Sequence, residues 1–143
     1  MMTTGVLFVA HGSLLSAANQ ELFDLIEAVK ARGTYALVEP AFLEGASPSL
    51  PEGLSTCVAK GADKVVVIPY FLLLGKHVTD DLPRAIAAAK ERFPPVEFVQ
   101  GEHLSFSERL GAAVLSRIRE TGVLQWEAES AERGERHGSD GDV

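Results

Sequence analysis

At 143 residues the chain has the length of one domain, enough to bury most of its apolar surface without disulfide or metal staples. Its 46% hydrophobic and 23% charged residues are an ordinary balance for a soluble globular protein. The net charge of −7 speaks against a phosphate-backbone partner, so no nucleic acid is expected, and the single Cys57 excludes an intrachain disulfide or a Cys-rich metal cluster.

The start, Met1-Met2-Thr3-Thr4-Gly5, carries no basic stretch and no small-residue cleavage site. No signal peptide is expected, and no apolar run is long enough for a membrane. With one thiol, the expectation is a cytoplasmic protein. The acid is uneven: Gln125 to Val143 holds six acidic and two basic residues, net −4, leaving −3 in the body. A single α/β domain over residues 1–125 and a disordered acidic tail over 126–143 are expected.

Gly5 to Ala10 is a continuous apolar run ending at His11-Gly12, as suits a strand buried on both faces of a parallel sheet. Leu22, Leu25, Ile26 and Val29 then recur at helical spacing within 17–32, and Gly33 closes the helix. Ser13 and Ser16 are its candidate caps. A second strand is predicted over 35–42. Ser47-Pro48 reads as an N-cap with proline in the first helical position, and Leu50, Leu54, Val58 and Gly61 as that helix's inward stripe. Lys64 to Pro69 is the third strand, rich in valine. Asp80 and Asp81 complement a helix start, Pro83 is tolerated in the first turn, and Leu82, Ile86, Ala89 and Phe93 form the stripe. Pro94-Pro95 stops the helix, 96–100 is the fourth strand, and Ser105 with Glu108 makes a capping-box pattern. Phe106, Leu110, Val114 and Ile118 continue the last helix towards Gly122. This alternation predicts a small doubly wound four-stranded parallel sheet with helices on both faces.

In such sheets ligands sit at the carboxyl ends of the strands. His11 follows the first strand, Glu44 the second and His103 the fourth, while His77 lies in the loop beyond the third. Three imidazoles and a carboxylate are borderline ligands suited to divalent Fe, Co, Ni or Zn. A set of fewer than four firm ligands leaves a coordination position open for a substrate. Each residue also has a plainer reading: a hydrogen-bonded turn histidine, a solvated Glu44, a surface His103. Gly12 and Gly75 suit positive φ or close approach of a ligand to the backbone. The Tyr70-Phe71-Leu72-Leu73-Leu74 run reads either as extended strand or core plug, or as an apolar wall for a flat ligand or a second subunit.

These motifs together resemble the short sirohydrochlorin chelatases, the CbiX/SirB type of class II chelatase. The resemblance is carried by His11-Gly12-Ser13 with Asn19, by Ala41-Phe42-Leu43-Glu44 with Pro48-Ser49-Leu50, and by Pro69-Tyr70-Phe71-Leu72 leading to Gly75-Lys76-His77-Val78 with Asp81-Leu82-Pro83. It runs from about Gly5 to Arg119. It implies ATP-independent insertion of a divalent metal (Co2+, Fe2+ or Ni2+) into sirohydrochlorin, an anionic tetrapyrrole, by a homodimer without an organic cofactor. It implies His11 and His77 as metal-site residues and Glu44 as their helper. Leu14 stands where the family usually has Arg, which removes a carboxylate partner. Aligning Leu104 puts Ser105 and Ser107 where many members carry Gly and His, so no family role falls on His103.

The expected mechanism has neutral His11 and His77 hold the metal while one of them, or Glu44, takes the pyrrole protons. Lys76 and Arg84 are candidates to pair with the macrocycle's carboxylates, with Ser13 at the same edge. Competing readings are a metal or tetrapyrrole carrier without turnover, and an anion- or nucleotide-binding flavodoxin-like domain. No Gly-rich phosphate fingerprint follows the first strand to support the last.

Overall fold

A computed structural model describes residues 2–105 and 107–122. The chain divides into two units after Ser105. The first holds four strands, β1 (Thr4–Ala10), β2 (Leu37–Phe42), β3 (Lys64–Pro69) and β4 (Glu97–Gln100), all parallel in the order β2-β1-β3-β4. Helices α1 (Ser16–Ala31), α2 (Leu50–Ala59) and α3 (Leu82–Arg92) join them. The α/β class and the doubly wound parallel sheet expected from the alternation are both present.

Strand alternation sorts the apolar runs onto two faces. Leu7, Val9, Ala41, Val65, Val67 and Phe98 point to one side and meet Leu50, Leu54 and Cys57 of α2 and Leu82, Ile86 and Ala89 of α3. Val6, Val38 and Phe42 point to the other and meet Leu22 and Ile26 of α1. Helices therefore cover both faces, and a residue such as Leu7, wholly buried in a central strand, has no solvent side to spare.

Several boundaries differ from the sequence reading, each for a local reason. Neither Ser13 nor Ser16 caps α1. Its N-cap is Leu15, without a side-chain cap, because the Ser13 hydroxyl accepts from the Leu15 amide in the preceding turn. At the other end Gly33 takes φ +75° and donates to the Lys30 carbonyl, closing the helix as expected. Strand β2 starts at Leu37 rather than residue 35. The cap of α2 is Ser49, not Ser47. The chain stays paired with the end of β2, since the Phe42 amide donates to the Pro48 carbonyl, so the helix starts later. Ser49 and Glu52 form a reciprocal capping box there. Cys57 joins Leu50 and Leu54 in the buried stripe, whereas Val58 is only partly buried.

Helical structure after β3 begins before Asp80. A π-helical turn, His77–Asp81, leads directly into α3. Pro83, without an N–H, cannot continue a regular ladder here, and the Leu82 amide reaches back to the His77 carbonyl instead. Tyr70–Leu74 is neither strand nor core plug: β3 ends at Pro69, and Leu72, Leu73 and Leu74 are exposed.

In the second unit α4 (Glu108–Glu120) is capped by Ser107, whose hydroxyl accepts from the Leu110 amide. Ser105 is not the cap, as it adopts φ +51°. Phe106 of the expected stripe and the expected tail over 126–143 lie outside the described residues. Among those described, no helix is long and apolar enough to cross a membrane.

Burial pushes the Cys57 thiol up to about 11, and the Glu39 carboxylate adds to this while Lys60, ion-paired with Glu39, partly offsets it. At pH 8 only about one thiol in a thousand is then ionised. Cys57 in the folded protein is expected to resist an aromatic disulfide reagent at pH 8 and to react on addition of denaturant, followed by absorbance of the released thiolate.

Candidate metal site

Strand order places the site. The chain leaves β1 towards β2 on one side and returns past β1 to β3 on the other, so the loops after β1 and β3 diverge and open a crevice. His11 stands on one lip and His77 on the other.

The β1 and β2 loops are tied together beyond their strands. The Leu43 amide donates to the Ala10 carbonyl (3.0 Å) and the Glu44 amide to the His11 carbonyl (2.9 Å), which carries the ladder two residues further. Gly12, at φ +90°, lies so close that a Cβ there would fall 1.7 Å from the Glu44 carbonyl oxygen. From below, Asn19 of α1 clamps the same loop: its side chain accepts from the Ser13 amide (3.0 Å) and donates to the Ser13 carbonyl (2.7 Å).

His11 is bounded by two oxygens. Its Nδ1 is 3.1 Å from the Gly12 carbonyl, and its Nε2 is 2.8 Å from Glu44 Oε1. A carbonyl and a carboxylate oxygen both accept, so a ring nitrogen bonds either one only through a hydrogen, and the Nε2 hydrogen is the one that Glu44 shares. His77 differs. Its Nδ1 meets Asp81 Oδ2 at 2.6 Å across one helical turn, while Nε2 makes no hydrogen bond to any described residue. Its ring stacks on Phe71 (6.4 Å between centroids, 21° between planes) and meets the His11 ring edge-on at 5.3 Å. Two further contacts steady this lip: Gln100 donates to the Val78 carbonyl, and the Leu104 amide to the Phe71 carbonyl.

Three of the four strand-end residues thus converge: His11, Glu44 and His77. His103 stays apart, with no hydrogen bond or ring contact to the others; its side chain is 12% exposed and its Nδ1 is buried without a hydrogen-bond partner. Among the described residues no three His, Cys, Asp or Glu side chains form a ready-made ligand cage. The arrangement is an imidazole pair, His11 and His77, with Glu44 against one of them. Beside it lies a cleft of about 320 Å3, lined by Gly12, Ser13, Leu14, Glu44 and Gly45, with Leu14 94% exposed.

Ser13, Lys76 and Arg84 border the site differently. The Ser13 amide is taken by Asn19, so it is not free to hold a carboxylate; its hydroxyl hydrogen remains available. Lys76 directly precedes His77, Arg84 lies two residues into α3 beyond Leu82, and both are exposed. Gly75 does not take positive φ, unlike Gly12, and a Cβ there would meet open space. Asp81, read from sequence as a helix-start charge, is instead the hydrogen-bond partner of His77. The four-residue spacing from His77 was the available signal for that contact.

The fold is a small doubly wound α/β domain with two histidines across its topological switch point. The family model CbiX matches residues 5–121, and the chain belongs to that family. It is 35% identical to the sirohydrochlorin ferrochelatase of Priestia megaterium over 82% of this chain and 44% of that protein. It is also 35% identical to the sirohydrochlorin cobaltochelatase of Saccharolobus solfataricus, over 82% of this chain and 94% of that one. The sirohydrochlorin chelatase SirB from Bacillus subtilis subspecies spizizenii, solved in complex with cobalt, superposes with a TM-score of 0.78 at 33% identity. That match covers 83% of this chain and 51% of SirB. The chain spans about half the length of the Priestia and Bacillus relatives it matches.

Gly12→Ala is expected to force the β1 and β2 loops apart, since the added methyl meets the Glu44 carbonyl at an impossible distance. Loss of the contacts that orient a metal-ligating histidine costs on the order of 10–100-fold in metal affinity. Cobalt binding, followed by visible absorbance, should weaken on that scale, while circular dichroism retains the α/β signature.

Proposed function

We propose that this chain inserts a divalent metal, Co2+ or Fe2+ and also Ni2+, into sirohydrochlorin without ATP. The observation that carries the reading is the imidazole pair, His11 and His77, facing each other across the β1/β3 switch point of a CbiX-family domain. Sirohydrochlorin as substrate is supported by the relatives named for that chemistry, with iron in one and cobalt in another. The same names support placing the product in sirohaem or cobalamin biosynthesis.

The chemistry follows from the side chains. Insertion exchanges two pyrrole N–H protons for one dication; no electron moves and no group is transferred, so no organic cofactor is assigned. His77 offers an unshared Nε2 lone pair to the metal, and His11 completes a two-imidazole hold once Nε2 gives up the proton it shares with Glu44. Glu44 accepts that proton and then the pyrrole protons in turn, passing them to solvent through its 65% exposed side chain. Two imidazoles grip the metal less completely than a closed cage, so macrocycle nitrogens can replace them. Lys76 and Arg84 pair with the substrate's carboxylates, and the Ser13 hydroxyl donates to one of them. Leu14 supplies apolar contact on the rim of the cleft beside Glu44.

The family match over residues 5–121 supports reading residues 1–125 as one chelatase-like domain. A homodimer would bring together two such domains, as the doubled length of the Priestia and Bacillus relatives suggests. Sedimentation equilibrium at micromolar concentration should return twice the 15.3 kDa chain mass; a monomer would refute this arrangement. A free buried thiol agrees with a reducing cytoplasm.

The direct test is absorbance of sirohydrochlorin mixed with substoichiometric protein and Co2+, Fe2+ or Ni2+ in turn. Many product equivalents per chain are expected for the physiological metal, whereas one equivalent or less would indicate a carrier. His77→Ala should abolish insertion while the melting temperature stays near wild type; full activity in that variant would remove the site assignment.

A further inference from the structure

We infer that Asp81 is a positioning residue that sets the tautomer of His77, so that the Nε2 lone pair always faces the crevice. The inference rests on the proposed metal-inserting role of His77 and adds a residue to it.

The geometry carries the argument. Asp81 Oδ2 lies 2.6 Å from His77 Nδ1, at charge-assisted hydrogen-bond distance. An ionised carboxylate can only accept, so Nδ1 must carry the hydrogen and Nε2 is left with its lone pair. Both side chains belong to one π-helical turn, which holds them together whatever the neighbouring loops do. The ring is confined on two further sides, by the Phe71 face and the His11 edge. The Leu104 amide in turn holds the Phe71 backbone through its carbonyl, at the segment that carries this ring. A carboxylate on the distal nitrogen of a ligating histidine also raises its basicity towards metal.

A competing explanation treats Asp81 as a favourable charge at a helix start. The adjacent Asp80 would serve that purpose equally, yet it is exposed and, among the described residues, makes no hydrogen bond or ion pair. The two aspartates therefore separate the explanations. His11 offers an internal contrast: its Nε2 is occupied by Glu44, whereas His77 Nε2 makes no hydrogen bond to any described residue.

The experiment uses the metal-free full chain, with Co2+ as probe and no tetrapyrrole. Long-range proton–nitrogen NMR reads the tautomer of His77, and a Co2+ titration followed by visible absorbance reads affinity. The wild type should show the Nδ1–H tautomer. Asp81→Ala should move His77 towards Nε2–H and weaken Co2+ binding 10–100-fold. Asp81→Asn, which keeps shape and an acceptor oxygen, should lose less, and Asp80→Asn should match wild type in both readouts. In insertion assays Asp81→Ala should lower kcat with little change in KM for sirohydrochlorin. An unchanged tautomer and Co2+ affinity in Asp81→Ala, or an equal loss in Asp80→Asn, would overturn the inference. If those results come with loss of Co2+ binding in His77→Ala, the metal site stands and only the role of Asp81 falls. Wild-type Co2+ binding in His77→Ala would instead remove the metal site itself.

Discussion

Two parallel strands, β1 and β3, lie side by side, and the chain must leave them in opposite directions. That constraint makes the crevice. A parallel pair cannot be closed by a short hairpin, so each strand hands on to a helix, and the two helices pack on opposite faces. Leu7, Val9, Val65 and Val67 hold the pair together with no exposure to spare. His11 directly follows β1 on one side of the divergence, and His77 opens the helical turn beyond β3 on the other.

The two lips are built with different stiffness and different chemistry. On the β1 side the ladder continues past the strand, Gly12 admits the Glu44 carbonyl, and Asn19 clamps the loop from α1. On the β3 side a helical turn performs the same task, with His77 and Asp81 on one element and Phe71 as a backing plate. The consequence is an asymmetric imidazole pair. His11 shares a proton with a carboxylate exposed to solvent, and His77 presents an unoccupied nitrogen. Neither histidine belongs to a closed ligand cage among the described residues.

Most of the fold was legible in local pattern. Continuous apolar runs gave the parallel strands, and Leu22 and Ile26 or Leu82, Ile86 and Ala89 gave the helix stripes, because burial and periodicity are recorded residue by residue. Helix starts were less legible. Serine is a cap wherever the backbone permits, so Ser47, Ser49, Ser105 and Ser107 look alike in sequence. Only the pairing of Phe42 with Pro48 and Ser49, and the φ of Ser105, decided among them. The π-helical turn was invisible for a similar reason, since it arises from how Pro83 interrupts the hydrogen-bond ladder.

Residue type and order alone determined that His11, Glu44, His77 and His103 lie after strands and that their donor atoms suit a borderline divalent metal. Tertiary structure decided which of them meet. Strand order put β1 between β2 and β3, so His11 reaches both Glu44 and His77, while β4 sits at the far edge and His103 makes no hydrogen bond, ion pair or ring contact with the other three. It also decided which nitrogen each imidazole has to offer, because that depends on the oxygen facing the opposite side of the ring. Sequence spacing specifies neighbours along one helix, such as His77 and Asp81; neighbours across a sheet exist only once the strands have chosen their order.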